Sequence, residues 1–484
     1  MNISAIIDYL NKTYGYDLSG SYYGRISEWG KWWAGFYKPF HQFEELCGDR
    51  LVQRDLYSMK MGKKVCEDWA SLLMNEKTRV DAGEANQKFL LGENSSGGLF
   101  RDIAFWLREN ELIERAWATG TGAAVLRFEN MPVENGAIRP DENSHIRVAY
   151  LTADRIIPIS ADDRGVRDVV FVSESMLHGK NYIYLESHFL KNGSYEIRNA
   201  YFTEENDALK PAELPPGIIE SYRTGSDVPL FSLISPNIVK NIPGGNGLGM
   251  SILANAIDQL QGVDLAYNNF CRDFKLGGKK VFYDQSLTRT DERGHVITPD
   301  DIAQSLFLRV GDGDGLGDEH KPITEYNPSL RVEENTAGIQ AALDYLSLRV
   351  GFGTKHYQFN AAGSTVTATQ YTGDRQDLVQ NAAKHCIAVE RHVQQLVRAL
   401  LWAGKNVLGQ PVDPDAPITV EFDDSYIIDK ETQKQQFWQY VVAGKFPFWR
   451  YLVRFEGYSE ADARAIAQET GAALGDPYAD AGIS

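Results

Sequence analysis

Cysteine is scarce in this chain, and its scarcity argues against two kinds of framework. Four cysteines occur in the 484 residues, at Cys47, Cys66, Cys271 and Cys386. None of them forms the closely spaced pairs that a zinc site or a disulfide-stabilised domain requires. We therefore expect reduced and mostly buried thiols, and the sequence indicates neither a metal nor a cofactor.

Long apolar runs are also missing. No stretch approaches the roughly 18 consecutive apolar residues that a membrane-spanning helix needs. Residues 1–18 lack the basic flank and the continuous apolar run of a signal peptide. The sequence thus predicts a soluble protein that remains in the cell that makes it and has no membrane partner.

Basic residues are too few for a protein that binds DNA tightly. The chain has 49 lysines and arginines against 66 acidic residues, which gives a net charge of -17. Tight binding to DNA depends on neutralising many phosphates at once, which this balance disfavours. If DNA is a partner, we expect it to be bound loosely.

Motifs for nucleotides and metals are absent or incomplete. No Gly-x-x-x-x-Gly-Lys-Ser/Thr sequence occurs, so the chain carries no P-loop for ATP. Gly244–Gly249 follows a proline-rich segment rather than a strand, which favours a plain turn over a phosphate loop. Asp312–Gly315 resembles the start of a calcium loop, but Leu316 stands where a ligand is required. A solvated loop is the better interpretation.

Candidate catalytic residues are equally weak. His385 and His392 lie two turns apart on one predicted helix, a spacing that suits neither a metal site nor a nucleophile relay. Asp423 and Asp424 form an acidic pair after a predicted strand, but no partner acid or nucleophile accompanies them. The aromatic clusters at Trp32-Trp33 and 446–449 are more typical of cores and interfaces than of ligand sites. The sequence predicts no enzyme.

The periodicity of apolar residues divides the first half of the chain into helices and then strands. Residues 58–74 and 100–117 have helical spacing. From Gly122 to Phe202 short alternating segments follow, which are typical of strands. Asn192-Gly193 separates two of them, and this dipeptide is a strong signal for a hairpin. Residues 206–249 are rich in proline and glycine and predict a connector.

The second half contains three long amphipathic helices. We predict the first at 251–276, capped by Ser251, the second at 333–350 and the third at 367–403. An insert of about fifty residues separates the first two, with a strand at 280–283 and a short helix starting at Thr298. The remainder has a strand at 418–422 and short helices, one of which starts at Ser459. The apolar stripes of the long helices look too long for one chain to bury, which predicts an oligomer.

The sequences of these parts, and their order, resemble the portal proteins of long-tailed bacteriophages and prophages of Gram-positive bacteria. The resemblance covers nearly the whole chain. Its most specific stretches are MKMGKKVCEDWASLLMNEKT from Met59, GLGMSILANAIDQLQGVDLAYNNF from Gly247, STVTATQYTGDRQDLVQNAAKHCIAVE from Ser364 and VEFDDSYIIDKE from Val420.

The resemblance implies an α+β fold: a portal-like subunit with a mixed α/β wing, a two-helix stem that brackets a small α/β clip, a long tunnel helix and a helical crown. The implied boundaries are 1–245 for the wing, 246–277 for the first stem helix, 278–332 for the clip, 333–351 for the second stem helix, 352–364 for the tunnel loop, 365–405 for the long helix, and 406–484 for the strand and crown.

The resemblance also implies the function and the partners. The family's portal is a non-enzymatic ring of twelve subunits at one capsid vertex, through which double-stranded DNA is packaged and ejected. Its implied partners are the terminase large subunit, the major capsid and scaffold proteins, and the head-to-tail connector. Assembly in the cytoplasm of a bacterial host and a final place in the virion follow from the same resemblance.

Two groups of residues carry these expectations. The tunnel loop is expected to face DNA with Lys355, His356, Asn360, Ala361, Ala362, Gly363 and Ser364. The stem and long helices are expected to contact neighbouring subunits through Ile252, Leu260, Tyr267, Phe270, Ile339, Leu346, Leu378, Val389 and Leu396.

Two other hypotheses remain open from the sequence. One is a different head-assembly protein, such as a scaffold or minor capsid component, which would share partners but have no axial channel. The other is a hydrolase that uses Asp423, Asp424 and either His385 or His392.

Overall fold

A computed structural model describes most of the chain. The described residues are 2–47, 49–93, 97–129, 133–134, 137–138, 144–177, 179–205, 208–284, 293, 307–310, 323–359, 376–423, 430–458 and 460–474. Several sequence predictions lie outside them: the start of the clip helix at Thr298, the loop 312–316, residues 360–364 and Asp424.

The described residues start with a mainly helical part, continue with strands β4 to β14, and return to mainly helical structure after residue 256. The helices are α1 (Ile3–Tyr14), α2 (Ser21–Trp33), α3 (Lys38–His41), α4 (Met61–Leu73), α5 (Glu84–Leu91), α6 (Gly98–Asp102), α7 (Phe105–Thr119), α8 (Ile257–Leu276), α9 (Val332–Arg349), α10 (Gln376–Asn406), α11 (Lys430–Val442), α12 (Phe448–Tyr451) and α13 (Glu460–Leu474). None of them is both long enough and apolar enough to cross a membrane.

The strands are β1 (Gln42–Cys47), β2 (Arg50–Asp55), β3 (Arg79–Asp81), β4 (Gly122–Glu129), β5 (Val133–Glu134), β6 (Ala137–Ile138), β7 (His145–Thr152), β8 (Ile156–Asp162), β9 (Gly165–Leu177), β10 (Lys180–Lys191), β11 (Ser194–Glu205), β12 (Ala208–Ala212), β13 (Ser221–Arg223), β14 (Phe231–Ile234), β15 (Lys280–Asp284), β16 (Phe307–Val310), β17 (Ile323–Tyr326) and β18 (Thr419–Glu421).

Antiparallel pairing dominates the sheets. The largest has the order β12-β11-β10-β9-β8, with β13 also paired to β11. A second sheet has the order β14-β4-β7, and a third, between α8 and α9 in the chain, has the order β16-β15-β17. The prediction of mixed helix and strand content is confirmed.

Strand β4 separates two hydrophobic cores, and its sequence shows why. Successive side chains of a strand point to opposite faces. Ala124 and Leu126 accordingly pack into a core with α4, α7 and α10. Ala123 and Val125 pack into the other core, formed with α1, α2 and the large sheet. A strand buried on both faces is nearly all apolar, as this one is.

The predicted hairpin is confirmed. Strands β10 and β11 pair antiparallel up to Lys191 and Ser194. The two residues between them, Asn192 and Gly193, have φ of 50° and 76°. Two consecutive positive φ angles define a tight turn that asparagine and glycine adopt at little cost.

Two boundaries differ from the prediction. Helix α8 begins at Ile257, because the Ser251 hydroxyl donates to the carbonyl oxygen of Trp117 (3.1 Å) and accepts from the Leu253 amide (3.1 Å). The predicted connector 206–249 contains β12, β13 and β14. Strand β14 belongs to the core, since Phe231 and Ile234 are buried.

The argument that the apolar stripes need a neighbouring subunit is wrong, because the chain buries them itself. Tyr267 and Phe270 are partly buried against the first core. The other predicted interface residues are at most 8% exposed: Ile252, Leu260, Ile339, Leu346, Leu378, Val389 and Leu396. Buried side chains of this kind offer little or no surface to a second subunit.

Candidate functional site

The segment after α9 is the part of the predicted tunnel loop that the structure describes. We call residues 351–359 the loop base. It starts at Gly351, whose φ of 92° lies in the region that favours glycine. A Cβ atom there would also lie 3.3 Å from the Asn381 side chain and 3.4 Å from the ring of Trp69. Glycine therefore permits both the turn and the close packing.

Side chains from two other helices bind the start of the loop base. Trp69, on α4, donates its indole N–H to the carbonyl oxygen of Val350 (3.1 Å). Asn381, on α10, donates to the carbonyl oxygen of Gly351 (3.0 Å). The two residues directly after α9 are thus bonded to α4 and α10.

The end of the loop base is bound by one side chain of α9. Gln340 donates its amide N–H to the carbonyl oxygen of Tyr357 (2.9 Å), and its amide oxygen accepts from the main-chain N–H of Phe359 (2.9 Å). The same side chain thus bonds two positions of the segment. Loss of Gln340 would release the residues directly before the undescribed segment 360–375.

Three stacked rings form the centre of the loop base. The rings of Trp69 and Phe352 are stacked with centroids 4.5 Å apart, and Phe352 is 1% exposed. On its other side, Phe352 stacks on His356 at 4.2 Å with the planes 8° apart. Aromatic pairs of this kind contribute about 0.5–1.5 kcal/mol each beyond the area that they bury.

Charge at the loop base centres on Asp68 of α4. Lys64 Nζ lies 2.6 Å and His356 Nε2 lies 3.9 Å from its carboxylate. Burial raises the pKa of Asp68, but His356 and Lys64 favour the carboxylate more strongly and lower the pKa overall. The Tyr357 hydroxyl has a raised pKa because it is buried next to this carboxylate.

The predicted DNA-facing residues have different surroundings. Lys355 is exposed and has a φ of 64°, whereas His356 is only half-buried and fixed between Phe352 and Asp68. Asn360, Ala361, Ala362, Gly363 and Ser364 lie outside the described residues. What the geometry provides is a firmly bonded support from which residues 360–375 depart.

Sequence reasoning missed the residues that hold this support. Asp68 and Trp69 lie within the stretch from Met59, and Asn381 lies within the stretch from Ser364. The resemblance therefore marked their neighbourhoods without assigning them a role. Gln340 had no signal, because a polar residue beside the buried Ile339 resembles any residue at the border of a helical stripe.

The buried histidines are structural. His392 Nδ1 lies 2.8 Å from the Ser232 hydroxyl, and its Nε2 lies 2.9 Å from Glu109. A serine, a histidine and a glutamate in series resemble a catalytic triad. However, each is at most 1% exposed, and the Ser232 hydroxyl donates to the carbonyl oxygen of His392 (2.9 Å). No substrate can reach this serine.

Asp423 and His385, the other residues of the hydrolase hypothesis that the structure describes, each contact different partners. Asp423 is bonded to Lys77 (3.2 Å). His385 accepts from the main-chain N–H of Asn237 (3.1 Å) and contacts the rings of Trp69 and Trp117. Within the part of the chain that the structure describes, no group of three or more histidine, cysteine or acidic residues could bind a metal ion.

The glycine-rich turn is not a phosphate loop. The ammonium group of Lys240 donates to the carbonyl oxygens of Gly244 (2.7 Å), Gly245 (2.8 Å) and Leu248 (3.1 Å). A phosphate site instead needs main-chain N–H groups that point inward. In this turn, main-chain carbonyl oxygens point inward and bind the ammonium group of Lys240, so the turn would repel a phosphate.

A comparison with models of known protein families shows the family to which the chain belongs. The family model described as "Phage portal protein, SPP1 Gp6-like" matches residues 54–472. The chain belongs to this family. Phage portal proteins of this family are structural rather than enzymatic.

Solved structures give remote similarities. A chain of "Virion of native gene transfer agent (GTA) particle" and one of "Neck of native GTA particle computed with C12 symmetry" each have 12% identity, cover 84% of this chain and 89% of their own, and give a TM-score of 0.36. A chain of "Neck of empty GTA particle computed with C6 symmetry" has 12% sequence identity. The match covers 84% of this chain and 88% of that chain, with a TM-score of 0.34. A search of curated proteins finds no significant relative.

Proposed function

We propose that this chain is one subunit of a ring-shaped portal at a capsid vertex, through which double-stranded DNA is packaged and later ejected. The observation that carries the proposal is membership of the phage portal family over residues 54–472. Twelve subunits would form the ring. The terminase motor would dock during packaging, and head-to-tail connector proteins would bind afterwards.

The proposed regions keep the boundaries expected from the sequence. Residues 1–245 would form the wing, residues 246–277 and 333–351, which contain most of α8 and α9, the stem, and residues 278–332, with the sheet β16-β15-β17, the clip. Residues 352–364 would form the tunnel loop, 365–405 the long helix, and 406–484 the strand and crown.

The loop base supports this assignment by its rigidity. Trp69, Gln340 and Asn381 bond the loop base to three helices, which would hold the start of the loop in place while the duplex moves. Residues 360–364 are small and uncharged and would bind phosphates only weakly. The net charge of -17 adds repulsion between DNA and an acidic channel wall. The energy for translocation would come from the ATP used by the motor.

The subunit interface would use the outer faces of the stem helices rather than the buried stripes. Leu265 on α8 and Leu348 on α9 are 45% and 50% exposed, and Tyr345 on α9 is 70% exposed. Apolar side chains exposed on two packed helices are typical of a surface that a neighbouring subunit covers.

A DNA-packaging assay with rings of full-length protein tests the proposal. Gln340→Ala removes the two bonds at the end of the loop base, and we expect the ring to form but the yield of packaged DNA to fall severalfold. The matched control is Gln394→Ala, which removes a bond from α10 to the carbonyl oxygen of Ile418 (3.0 Å) away from the loop. Equal packaging by intact rings of both variants would contradict a role of the loop base in the DNA path.

A further inference from the structure

An arginine-rich cleft runs along the free edge of β7. The cleft has a volume of about 580 Å³ and is lined by the six consecutive residues 146–151. Because side chains of a strand alternate between its faces, a cavity lined by six in a row lies along the edge. Among the residues that the structure describes, β7 is the last strand of its sheet and pairs with β4 alone.

The edge has unused main-chain groups. Every second residue of an edge strand points its N–H and C=O groups away from the ladder. Among the described residues, no hydrogen bond outside the ladder with β4 uses a main-chain group of residues 146–151. The cleft therefore borders main-chain groups with which an additional strand could pair.

Arginines line the cleft from both sides of the strand. Arg108 and Arg115 come from α7, and Arg127 and Arg147 come from β4 and β7. With Asp102 and Glu111, the lining has four basic and two acidic side chains, although the whole chain has more acids than bases.

Two of these arginines lie in positions where their like charges disfavour the folded state. Arg127 and Arg147 are directly opposite each other in the β4–β7 ladder, and like charges in this position repel. Arg127 is bonded to the buried Glu186 (2.6 Å), but among the described residues Arg147 reaches only the exposed Glu129 (2.7 Å). The fold itself gains little from a second arginine here.

The remaining ion pairs are weak enough to exchange. The side chains of Arg108, Arg115 and Arg147 are 51%, 45% and 66% exposed. Arg108 and Arg115 share a single carboxylate, that of Glu111, at 2.9 Å and 3.8 Å. Exposed pairs of this kind contribute at most about 1 kcal/mol, so carboxylates of a ligand can replace them.

We propose that the β7 edge binds an acidic, extended segment of a partner protein, which adds as a strand and places its carboxylates on Arg108, Arg115 and Arg147. Strand addition satisfies the free main-chain groups, and guanidinium groups bind carboxylates through paired hydrogen bonds. The phosphates of a DNA duplex would pair with the arginines alone and would leave the main-chain groups of the edge without a partner, so an extended peptide suits the site better. The inference concerns a different surface from the loop base and is independent of the proposed DNA path.

The test uses full-length protein and a fluorescent ten-residue peptide in which Glu-Glu-Val repeats, so that carboxylates lie on both faces of the added strand. We expect saturable binding, weaker binding at higher salt, and slower hydrogen exchange in fragments covering β7 when the peptide is present. A peptide in which Lys-Lys-Val repeats is the probe control and should not bind. Equal binding of both peptides, or unchanged exchange at β7, would overturn the proposal.

Charge reversal locates the site. Arg147→Glu should weaken binding of the acidic peptide by about tenfold or more. The matched control is Arg167→Glu, since Arg167 is also an exposed strand arginine, paired with Asp162 (3.4 Å), but lies outside the cleft. Circular dichroism verifies that both variants fold.

Two further outcomes would refute the proposed partner. If Arg147→Glu prevents ring formation while the native protein ignores the peptide, the edge contacts a second copy of this chain. If a short DNA duplex displaces the peptide and protects β7 equally well, the site recognises phosphate. Ring formation is measured separately by sedimentation, so a failure of this proposal can be distinguished from a failure of the portal assignment.

Discussion

The imidazole of His392, on α10, connects this helix to β14 and to α7. It joins α10 to β14 through Ser232 and to α7 through Glu109, and both ends of the pair with Glu109 are 0% exposed. A carboxylate in this position depends on its partner, since a buried charge without one is very unfavourable.

Replacing His392 with alanine is therefore expected to lower the free energy of unfolding by about 3–5 kcal/mol, because Glu109 would be left buried without its partner. Urea unfolding followed by circular dichroism measures the change. His145→Ala, at an exposed strand position, is the control and should change stability little. A loss below about 1 kcal/mol for His392→Ala would contradict the described network.

His385 makes the free energy of unfolding depend on pH. Burial, with a smaller contribution from Lys384, lowers its pKa from 6.5 to about 4. Between these values the unfolded chain binds a proton that the folded chain does not. The free energy of unfolding therefore falls as the pH decreases through this window, by up to about 3 kcal/mol, and this contribution is fully present above pH 6.5.

The matched variant is His385→Asn, whose side-chain oxygen can still accept from the Asn237 amide. Its unfolding free energy, measured by urea titration from pH 7 to pH 4, should fall less steeply than that of the native chain. The same slope in both proteins would show that His385 is not the group responsible.

At the scale of elements, helices α2 and α4 approach each other at Gly62. A Cβ atom added there would lie 2.5 Å from the carbonyl oxygen of Trp32. That atom belongs to the main chain and cannot rotate away, so the helices would have to separate. The closeness of the two helices explains a glycine within α4, where this residue otherwise weakens a helix.

We expect Gly62→Ala to destabilise the protein by about 1–3 kcal/mol, as overpacking of a core does. Gly24→Ala is the control within α2, where a Cβ atom meets nothing within 4 Å; alanine there should stabilise the helix by up to about 1 kcal/mol. Thermal unfolding of both variants gives the comparison. A similar increase in stability for both would contradict the close approach.

Helices, strands and turns were predictable from the sequence where the local residue pattern alone determines the structure. The Asn192-Gly193 turn and the helix Val332–Arg349 followed from sequence pattern. The start of α8 did not, because the Ser251 hydroxyl is bonded to the main chain of Trp117, a contact between distant residues. Strand β14 was missed because its neighbouring prolines predicted a connector, whereas tertiary packing buries Phe231.

At the scale of the whole molecule, the sequence predicted the family but not the contacts that hold residues 351–359. Lys355 and His356 were recognisable from the resemblance. Their supports, Trp69 and Gln340, come from segments about 290 and 15 residues away in the chain. Sequence periodicity shows that a helix has an apolar face but not whether its own chain or a neighbour covers it, which explains the error about the stripes.

The central claim is that this chain assembles into a ring with an axial channel. Single-particle electron microscopy of the purified full-length protein tests it most directly. We expect closed rings with rotational symmetry and a central opening wide enough for duplex DNA, with α8 and α9 at the contacts between subunits. A homogeneous monomer at every protein and salt concentration, or a closed particle without a central opening, would contradict the account.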